Sequence, residues 1–169
     1  MEDFDLVVAS HLRWDFVWQR PQQILSRLSH KHRVLFVEEP IIVPDDVEPQ
    51  AELQIVNATL SVLKPQVPQS MVGDTPAWLW PCEDMIASQI KDAMRRLNFR
   101  RYALWFYTPT PEFLARKLQP HMVVCDVMDD LASFKFAPPQ LREREQRLLS
   151  QAAVVFTGGY SLFESKKRH

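Results

Sequence analysis

The sequence predicts an α/β fold, a single domain over residues 1–169 in which a mostly parallel sheet has helices on both faces. Short apolar runs rich in β-branched and aromatic residues alternate with segments of helical periodicity along most of the chain. The length of 169 residues suits one domain. The 46% hydrophobic and 24% charged residues are ordinary values for a globular protein.

The first third of the chain has the pattern of a βαβ unit. Residues 4–9 form a continuous apolar run, which predicts a strand buried on both faces. A polar and aromatic loop follows over residues 10–19, and Pro21 suits the first turn of a helix that ends near Lys31. Residues 33–38 are the next predicted strand. The connection between two such parallel strands is right-handed.

The middle of the chain is less regular. Residues 53–56 and 60–63 predict two short strands joined as a hairpin. Residues 65–81 contain four prolines and predict an irregular segment. After it, a stripe of apolar residues with helical spacing predicts a helix over residues 83–97: Ile86, Ile90, Ala93, Met94 and Leu97.

The last part of the chain returns to regular alternation, with strands predicted over residues 102–107, 122–127 and 153–157. Thr110 is the predicted capping hydroxyl of a helix that ends near Leu118. A second helix opens at Pro138, with residues 142–145 on its solvated face, and a third begins near Tyr160. This order of elements is typical of a Rossmann-like sheet.

Bulk properties exclude several classes of protein. The net charge of −1 gives no general attraction to nucleic acid. Cys82 and Cys125 are expected to be buried thiols in a reducing compartment. No signal peptide and no membrane-spanning run is apparent, so we expect a cytoplasmic protein. The sequence contains no metal-ligand cluster, P-loop or nucleophile elbow, so neither a metal nor another resident cofactor is expected.

Polar residues collect where the predicted strands end. In open α/β sheets, ligands bind beyond the carboxyl ends of the strands. In chain order, the residues delivered there are Ser10, His11, Arg13, Asp15, Arg20, Glu38, Glu39, Tyr107, Thr108, Thr110, Asp126, Asp129, Asp130, Thr157, Gly158, Gly159 and Ser161.

Three of these residues are candidate general bases: Asp15, Asp129 and His11. For Asp129 the alternative is a structural role as a helix cap, and for His11 it is a hydrogen-bonded structural histidine. The tandem glycines Gly158 and Gly159, at a strand-to-helix junction, offer exposed amides to an anion or simply make a tight turn.

The loop after the first strand is the most unusual segment. Trp14 and Trp18 can supply apolar platforms for the CH faces of a sugar, while charged neighbours such as Arg20 fix its orientation. Packing of the same aromatic residues onto the core is the alternative, and the sequence leaves both open.

Four segments resemble bacterial glycosyltransferases of the GT-B fold, which are often found with capsule, exopolysaccharide or cell-envelope synthesis. These are residues 13–22, 33–40, 126–131 and 155–162. The resemblance implies two Rossmann-like domains facing across a cleft. In that fold the N-terminal domain mainly holds the acceptor, and the C-terminal domain mainly holds the nucleotide sugar.

The resemblance therefore implies that this chain is the acceptor-binding half of a metal-independent glycosyltransferase, inactive without the absent C-terminal donor domain. The complete protein transfers a sugar from a nucleotide-sugar donor to a hydroxyl of a glycan, a lipid or another acceptor. Peripheral membrane association and a homodimer of the fragment are further expected partnerships. The expected substrate-binding residues are Arg13, Trp14, Trp18, Arg20, Glu39, Thr108, Asp130, Gly158 and Gly159.

Two other functions compete with this one. The first is a non-catalytic α/β module that binds a small ligand or a partner. The second is a dinucleotide-dependent oxidoreductase. All three glycines of the chain lie far from the first βα turn, where such an enzyme needs them, so the sequence argues against the oxidoreductase.

Overall fold

The structure is a computed structural model that describes residues 4–76 and 79–167. The strands are β1 (Asp5–Ala9), β2 (Val34–Val37), β3 (Ile41–Val43), β4 (Glu52–Ile55), β5 (Leu60–Lys64), β6 (Gln66–Pro68), β7 (Tyr102–Phe106), β8 (Met122–Val127) and β9 (Val154–Thr157). The helices are α1 (Arg20–Leu28), α2 (Glu83–Arg96), α3 (Phe113–Leu118), α4 (Pro139–Gln151) and α5 (Tyr160–Lys166).

Seven strands form one sheet in the order β4-β5-β2-β1-β7-β8-β9. All neighbouring pairs are parallel except β4 and β5, which form the predicted hairpin. The side chain of Asn57 shapes its turn, because its Oδ1 accepts hydrogen bonds from the backbone N–H groups of Thr59 and Leu60, each at 2.9 Å. The predicted α/β class with a mostly parallel sheet is confirmed.

The two faces of the sheet are covered unequally. Alternate residues of the central strands, such as Val7 and Leu104, pack under α2, α3 and α4 on one face. On the other face, Val8 and Phe36 pack with Leu25 of α1. These side chains are fully buried, which explains why the central strands are continuous apolar runs. Along the described ranges, no helix combines the length and apolar character needed to cross a membrane.

The proline-rich segment contains a strand that the sequence pattern hides. Gln66–Pro68 forms β6 and pairs in parallel with β3 in a separate two-stranded sheet. Prolines are tolerated there because both strands of a two-stranded sheet are edge strands. The outer side of an edge strand has no partner strand, so no N–H is needed on that side. The carbonyl of Pro65 accepts a hydrogen bond from the backbone N–H of Ile41 at 2.7 Å. The prediction of an irregular segment was wrong for these residues.

The prediction that Thr110 caps α3 was also wrong. The helix begins at Phe113, and Thr110 is buried three residues earlier, where its hydroxyl is hydrogen-bonded to that of Thr108. The Thr110 hydroxyl is bonded to Thr108 and not to the first turn of α3, which has no side-chain cap.

The solvated face predicted for residues 142–145 holds only for its first two members. The Arg144 guanidinium donates to the carbonyl of Thr110 and forms an ion pair with Glu83 at 3.1 Å. Glu145 is buried and accepts from Lys166 of α5 at 2.8 Å. These two side chains therefore tie α4 to the neighbouring elements.

The two cysteines are both free thiols. Cys125 is buried in β8, as predicted, but Cys82 is only half-buried. Cys82 directly precedes α2 and has a left-handed backbone, with φ of 53°. Burial raises the pKa of the Cys125 thiol to about 12, with smaller contributions from the charges of Glu145 and Asp126, so this sulfur stays protonated and unreactive.

The tandem glycines after β9 have different surroundings, which gives a matched test. A Cβ on Gly158 would lie 3.0 Å from the backbone oxygen of Met128, whereas a Cβ on Gly159 would meet nothing within 4 Å. Gly159 is the N-cap residue of α5 in extended backbone, a position that serine suits.

We therefore predict that Gly158→Ser lowers the free energy of unfolding by about 1–3 kcal/mol through overpacking. Gly159→Ser should change it by less than about 0.5 kcal/mol. Urea unfolding of both variants and the wild type measures the difference. Equal effects of the two substitutions would contradict the close packing of Gly158 on Met128.

Candidate functional site

A cleft of about 350 Å³ opens at the carboxyl edge of the sheet. The chain leaves β1 toward β2 on one side and returns in β7 on the other, so this edge holds the point where the strand order reverses. Ligands of open α/β proteins bind at such a switch point. The residues that line the cleft are His11, Glu39, Thr108, Thr110, Asp129, Leu131, Phe134 and Leu141.

The loop after β1 forms one wall of this edge and is held by Glu38, which follows β2 and is almost fully buried. One carboxylate oxygen accepts from the backbone N–H of Trp14 at 2.7 Å, and the other accepts from Arg13 at 2.9 Å. Arg13 also donates to the carbonyl of Glu39 at 2.8 Å. Arg13 was predicted to bind substrate, but in the structure its guanidinium joins the loop after β1 to the loop after β2.

Gln22 of α1 holds the same loop from the other side. Its amide donates to the carbonyls of Arg13 and Trp14, at 3.2 and 3.0 Å, and accepts from the backbone N–H of Gln19 at 3.1 Å. Trp14 is buried against Phe36, with ring centroids 5.1 Å apart. Of the two tryptophans predicted to bind substrate, Trp14 therefore packs on the core. The structure leaves only Trp18 exposed.

Arg20 and Asp126 form a second ion pair with a buried carboxylate at this edge. The Arg20 Nε lies 3.0 and 3.1 Å from the two oxygens of Asp126, and one terminal nitrogen lies 2.9 Å from the first. The Asp126 side chain is fully buried. Burial first, and then the charge of Asp126, raises the pKa of the nearby Tyr107 well above its ordinary range, so its hydroxyl stays protonated.

His11 lies in the cleft immediately beyond β1. Burial lowers its pKa below the ordinary value of 6.5, and the charge of Asp129 and the backbone of Tyr107 oppose this only in part. Its Nδ1 is buried and has no hydrogen-bond partner among the described residues. A neutral imidazole that lines a cleft is suited to accept a proton from a ligand.

The other polar groups of the cleft come from three neighbouring strand ends. Glu39 follows β2, and its pKa is raised by burial while Arg13 opposes the shift. Thr108 and Thr110 follow β7 with their hydroxyls in contact, and Asp129 follows β8 at the open mouth. These groups offer hydrogen bonds to a ligand rich in hydroxyls.

Eight of the twelve predicted site residues do not line the cleft: Arg13, Trp14, Trp18, Arg20, Asp15, Asp130, Gly158 and Gly159. Asp15 is exposed on the loop tip after β1. Asp130 accepts from Lys166 at 2.9 Å and from Ser133 at 2.8 Å. Gly158 donates its backbone N–H to the carbonyl of Val127 at 2.8 Å, and Gly159 begins α5.

The apolar wall of the cleft was not anticipated from the sequence. Leu131 and Phe134 lie in the segment between β8 and α4, and Leu141 lies on α4. The available signal was a pair of phenylalanines, Phe134 and Phe136, in a segment without apolar periodicity. Within the described ranges, no group of three or more His, Cys, Asp or Glu side chains is placed to hold a metal ion.

The coupling between His11 and Asp129 gives a prediction about protonation. Asp129→Asn removes a charge that raises the pKa of His11, so the pKa should fall further below 6.5. A titration followed by the imidazole resonances in NMR measures this shift. Asp15→Asn, a substitution on the exposed loop tip, is the control and should leave the His11 titration unchanged. An unchanged or raised His11 pKa in Asp129→Asn would contradict the coupling.

The Arg20–Asp126 pair gives a prediction about stability. Arg20→Met leaves a fully buried carboxylate without its partner, and we expect a loss of about 3 kcal/mol in the free energy of unfolding. Arg27→Met is the matched control, because Arg27 lies on the same helix and its exposed side chain bonds to Gln23. Chemical denaturation that finds similar effects for both variants would show that the pair contributes little.

No protein-family model matches the chain, and no curated protein matches its sequence. Two solved structures share its fold. One, described as trehalose-6-phosphate from E. coli bound with UDP-2-fluoro glucose, has a TM-score of 0.60 and 10% identity over 96% of this chain and 42% of its own.

The other is an α,α-trehalose-phosphate synthase (UDP-forming) from Burkholderia xenovorans in complex with glucose-6-phosphate. It has a TM-score of 0.60 and 11% identity over 95% of this chain and 41% of its own. The chain thus spans about two fifths of the length of these proteins. At such identities the likeness establishes the fold alone.

Proposed function

We propose that this chain is the acceptor-side half of a glycosyltransferase of the GT-B fold. The complete protein would transfer a sugar from a nucleotide-sugar donor to a hydroxyl of a glycan, lipid or other acceptor. One observation carries the proposal: the cleft at the switch point of the sheet contains a neutral, half-buried histidine coupled to Asp129. A base of this kind assists the attack of a hydroxyl acceptor by taking its proton.

In the proposed reaction, the imidazole of His11, which lines the cleft, takes the proton of the acceptor hydroxyl. The acceptor oxygen forms a bond to the anomeric carbon, and the bond from that carbon to the diphosphate breaks. The nucleoside diphosphate leaves with the electron pair. Asp129 stabilises the imidazolium that forms, because its charge already favours the protonated state of His11.

The remaining cleft residues would hold the acceptor in place. The hydroxyls of Thr108 and Thr110 and the carboxylate of Glu39 can exchange hydrogen bonds with sugar hydroxyls. Phe134 is half exposed in the apolar wall and can pack on a sugar CH face. Arg13 and Arg20 are positioning residues in this proposal, since each is paired with a buried carboxylate.

The structural neighbours support the nucleotide-sugar part of the proposal. One of them holds UDP-2-fluoro glucose and another holds glucose-6-phosphate. More than half of each neighbour lies outside the matched region, so the donor-binding residues are expected on chain beyond residues 1–169. The proposal includes a role in cell-envelope or exopolysaccharide synthesis. Its support is the resemblance of residues 13–22 and 126–131 to bacterial glycosyltransferases of the GT-B fold.

A sugar-transfer assay tests this function, with the protein encoded in the complete natural reading frame. Release of nucleoside diphosphate from a panel of nucleotide sugars is measured with simple glycosides as acceptors. We expect His11→Asn to lower kcat by about 10²–10⁴-fold, the usual contribution of a general base. Asp129→Asn should lower kcat. It should also shift the acidic limb of the pH profile to lower pH, because the pKa of His11 falls when the charge of Asp129 is removed.

Asp15→Asn separates two assignments of the base, because Asp15 was a candidate from the sequence but does not line the cleft. Near-normal turnover in this variant, together with loss in His11→Asn, supports the proposed base. Near-normal turnover in His11→Asn and Asp129→Asn overturns it. Sugar binding without transfer from any donor would favour the non-catalytic binding module.

A further inference from the structure

The charge of the cleft restricts which acceptors it can hold. Two carboxylates, Glu39 and Asp129, face the cleft, and none of the described residues that line it is a lysine or an arginine. We propose that the acceptor is an uncharged polyhydroxy compound, a sugar or glycan end without phosphate or carboxylate. This inference rests on the proposed function, and it names the substrate class of the same site.

The cations next to the cleft are already paired with buried acids. Arg13 forms an ion pair with Glu38 at 2.9 Å, and Arg20 pairs with Asp126 at 2.9 Å. Each of these carboxylates is buried to 1% exposure or less in its side chain, so releasing either arginine to a ligand would leave a buried charge uncompensated. Both guanidinium groups are thus held by these carboxylates, and neither arginine lines the cleft.

Two further cations lie behind or beside the cleft. Arg144 donates to the carbonyl of Thr110 and pairs with Glu83, so it faces the back of the cleft wall. Lys135 projects over the ring of Phe136, with its Nζ 5.5 Å from the ring centroid, and it does not line the cleft. An anion in the cleft would thus meet two carboxylates before it met any unpaired cation among the described residues.

The cost of this arrangement to an anion follows from Coulomb's law. A unit negative charge about 6 Å from one carboxylate loses a factor of roughly 3 in affinity at the dielectric constant of water, and roughly 100 at a surface-like value near 20. A phosphate ester carries between about one and a half and two charges at neutral pH, so the loss is larger for it. Rejection by like charge is a recognised route to specificity.

The same residues favour a neutral sugar. Carboxylate oxygens accept hydrogen bonds from sugar hydroxyls, and bonds to a charged acceptor are stronger than those between neutral groups. Thr108 and Thr110 add hydroxyls on the facing wall, and Phe134 with Leu141 adds apolar surface. One structural neighbour holds glucose-6-phosphate, and the described cleft of this chain lacks a cation that would hold such a phosphate.

Matched sugar pairs test the inference on this chain. The probes are glucose, mannose and galactose, each beside its 6-phosphate, titrated while amide resonances of His11, Thr108 and Asp129 are followed by NMR. For the sugar that binds best, we expect the neutral member to bind at least about ten times more tightly. Raising the salt concentration should narrow this preference, since it screens charge at the open mouth.

Carboxylate-to-amide substitutions show whether the two negative charges cause the preference for the neutral sugar. The double variant Glu39→Gln with Asp129→Asn keeps hydrogen-bond acceptors but removes both charges, and it should raise the affinity for the sugar phosphate about tenfold relative to the neutral sugar. Asp92→Asn is the control. It removes an exposed carboxylate of α2 that pairs with Arg95 on the same helix, and it should leave the ratio unchanged.

The outcomes separate the two proposals. A sugar phosphate that binds in the cleft as tightly as its neutral partner, or more tightly, overturns the inference and leaves the proposed function standing. The inference is also overturned if the double variant has the same ratio of affinities for the neutral sugar and its phosphate as the wild type. Failure of every probe to bind in the cleft overturns the proposed function, and the inference with it.

Discussion

Two buried carboxylates, Glu38 and Asp126, hold the whole carboxyl edge of the sheet in place. Glu38 binds the loop after β1 through Arg13 and the backbone of Trp14, and Asp126 binds the first residue of α1, Arg20. A buried carboxylate must be paired, so the loop has one arrangement that satisfies both acids at once. That arrangement sets His11 beside the end of β7 and opens the cleft.

This constraint explains why the most distinctive segment of the sequence is mostly scaffold. Residues 13–22 look like a binding motif because they mix arginine, tryptophan and glutamine. In the structure, Arg13 and Arg20 neutralise buried acids, Trp14 fills the core, and Gln22 bonds to the loop backbone. A motif of this kind is specific because many buried bonds must be made together, and it need not touch the ligand.

The sequence predicted the parts of the fold that depend on local periodicity. The buried strands, the hairpin and α2 were correctly predicted because continuous apolar runs and helical stripes are visible along the chain. β6 was missed because prolines mask its β character, and Arg144 was misplaced because its partners, Thr110 and Glu83, are distant in sequence. Such contacts follow from how α4 packs beside α2 and the loop before α3, which no local pattern records.

The same distinction holds for the site. The rule that ligands bind at strand ends correctly brought His11, Glu39, Thr108 and Asp129 to one cleft, because topology alone places them. The rule could not distinguish Asp129, which faces the cleft, from Asp130, which pairs with Lys166. The net charge of such a cleft is set by which charges are already paired inside the fold. An arginine near a site therefore says little about anion binding until its partner is known.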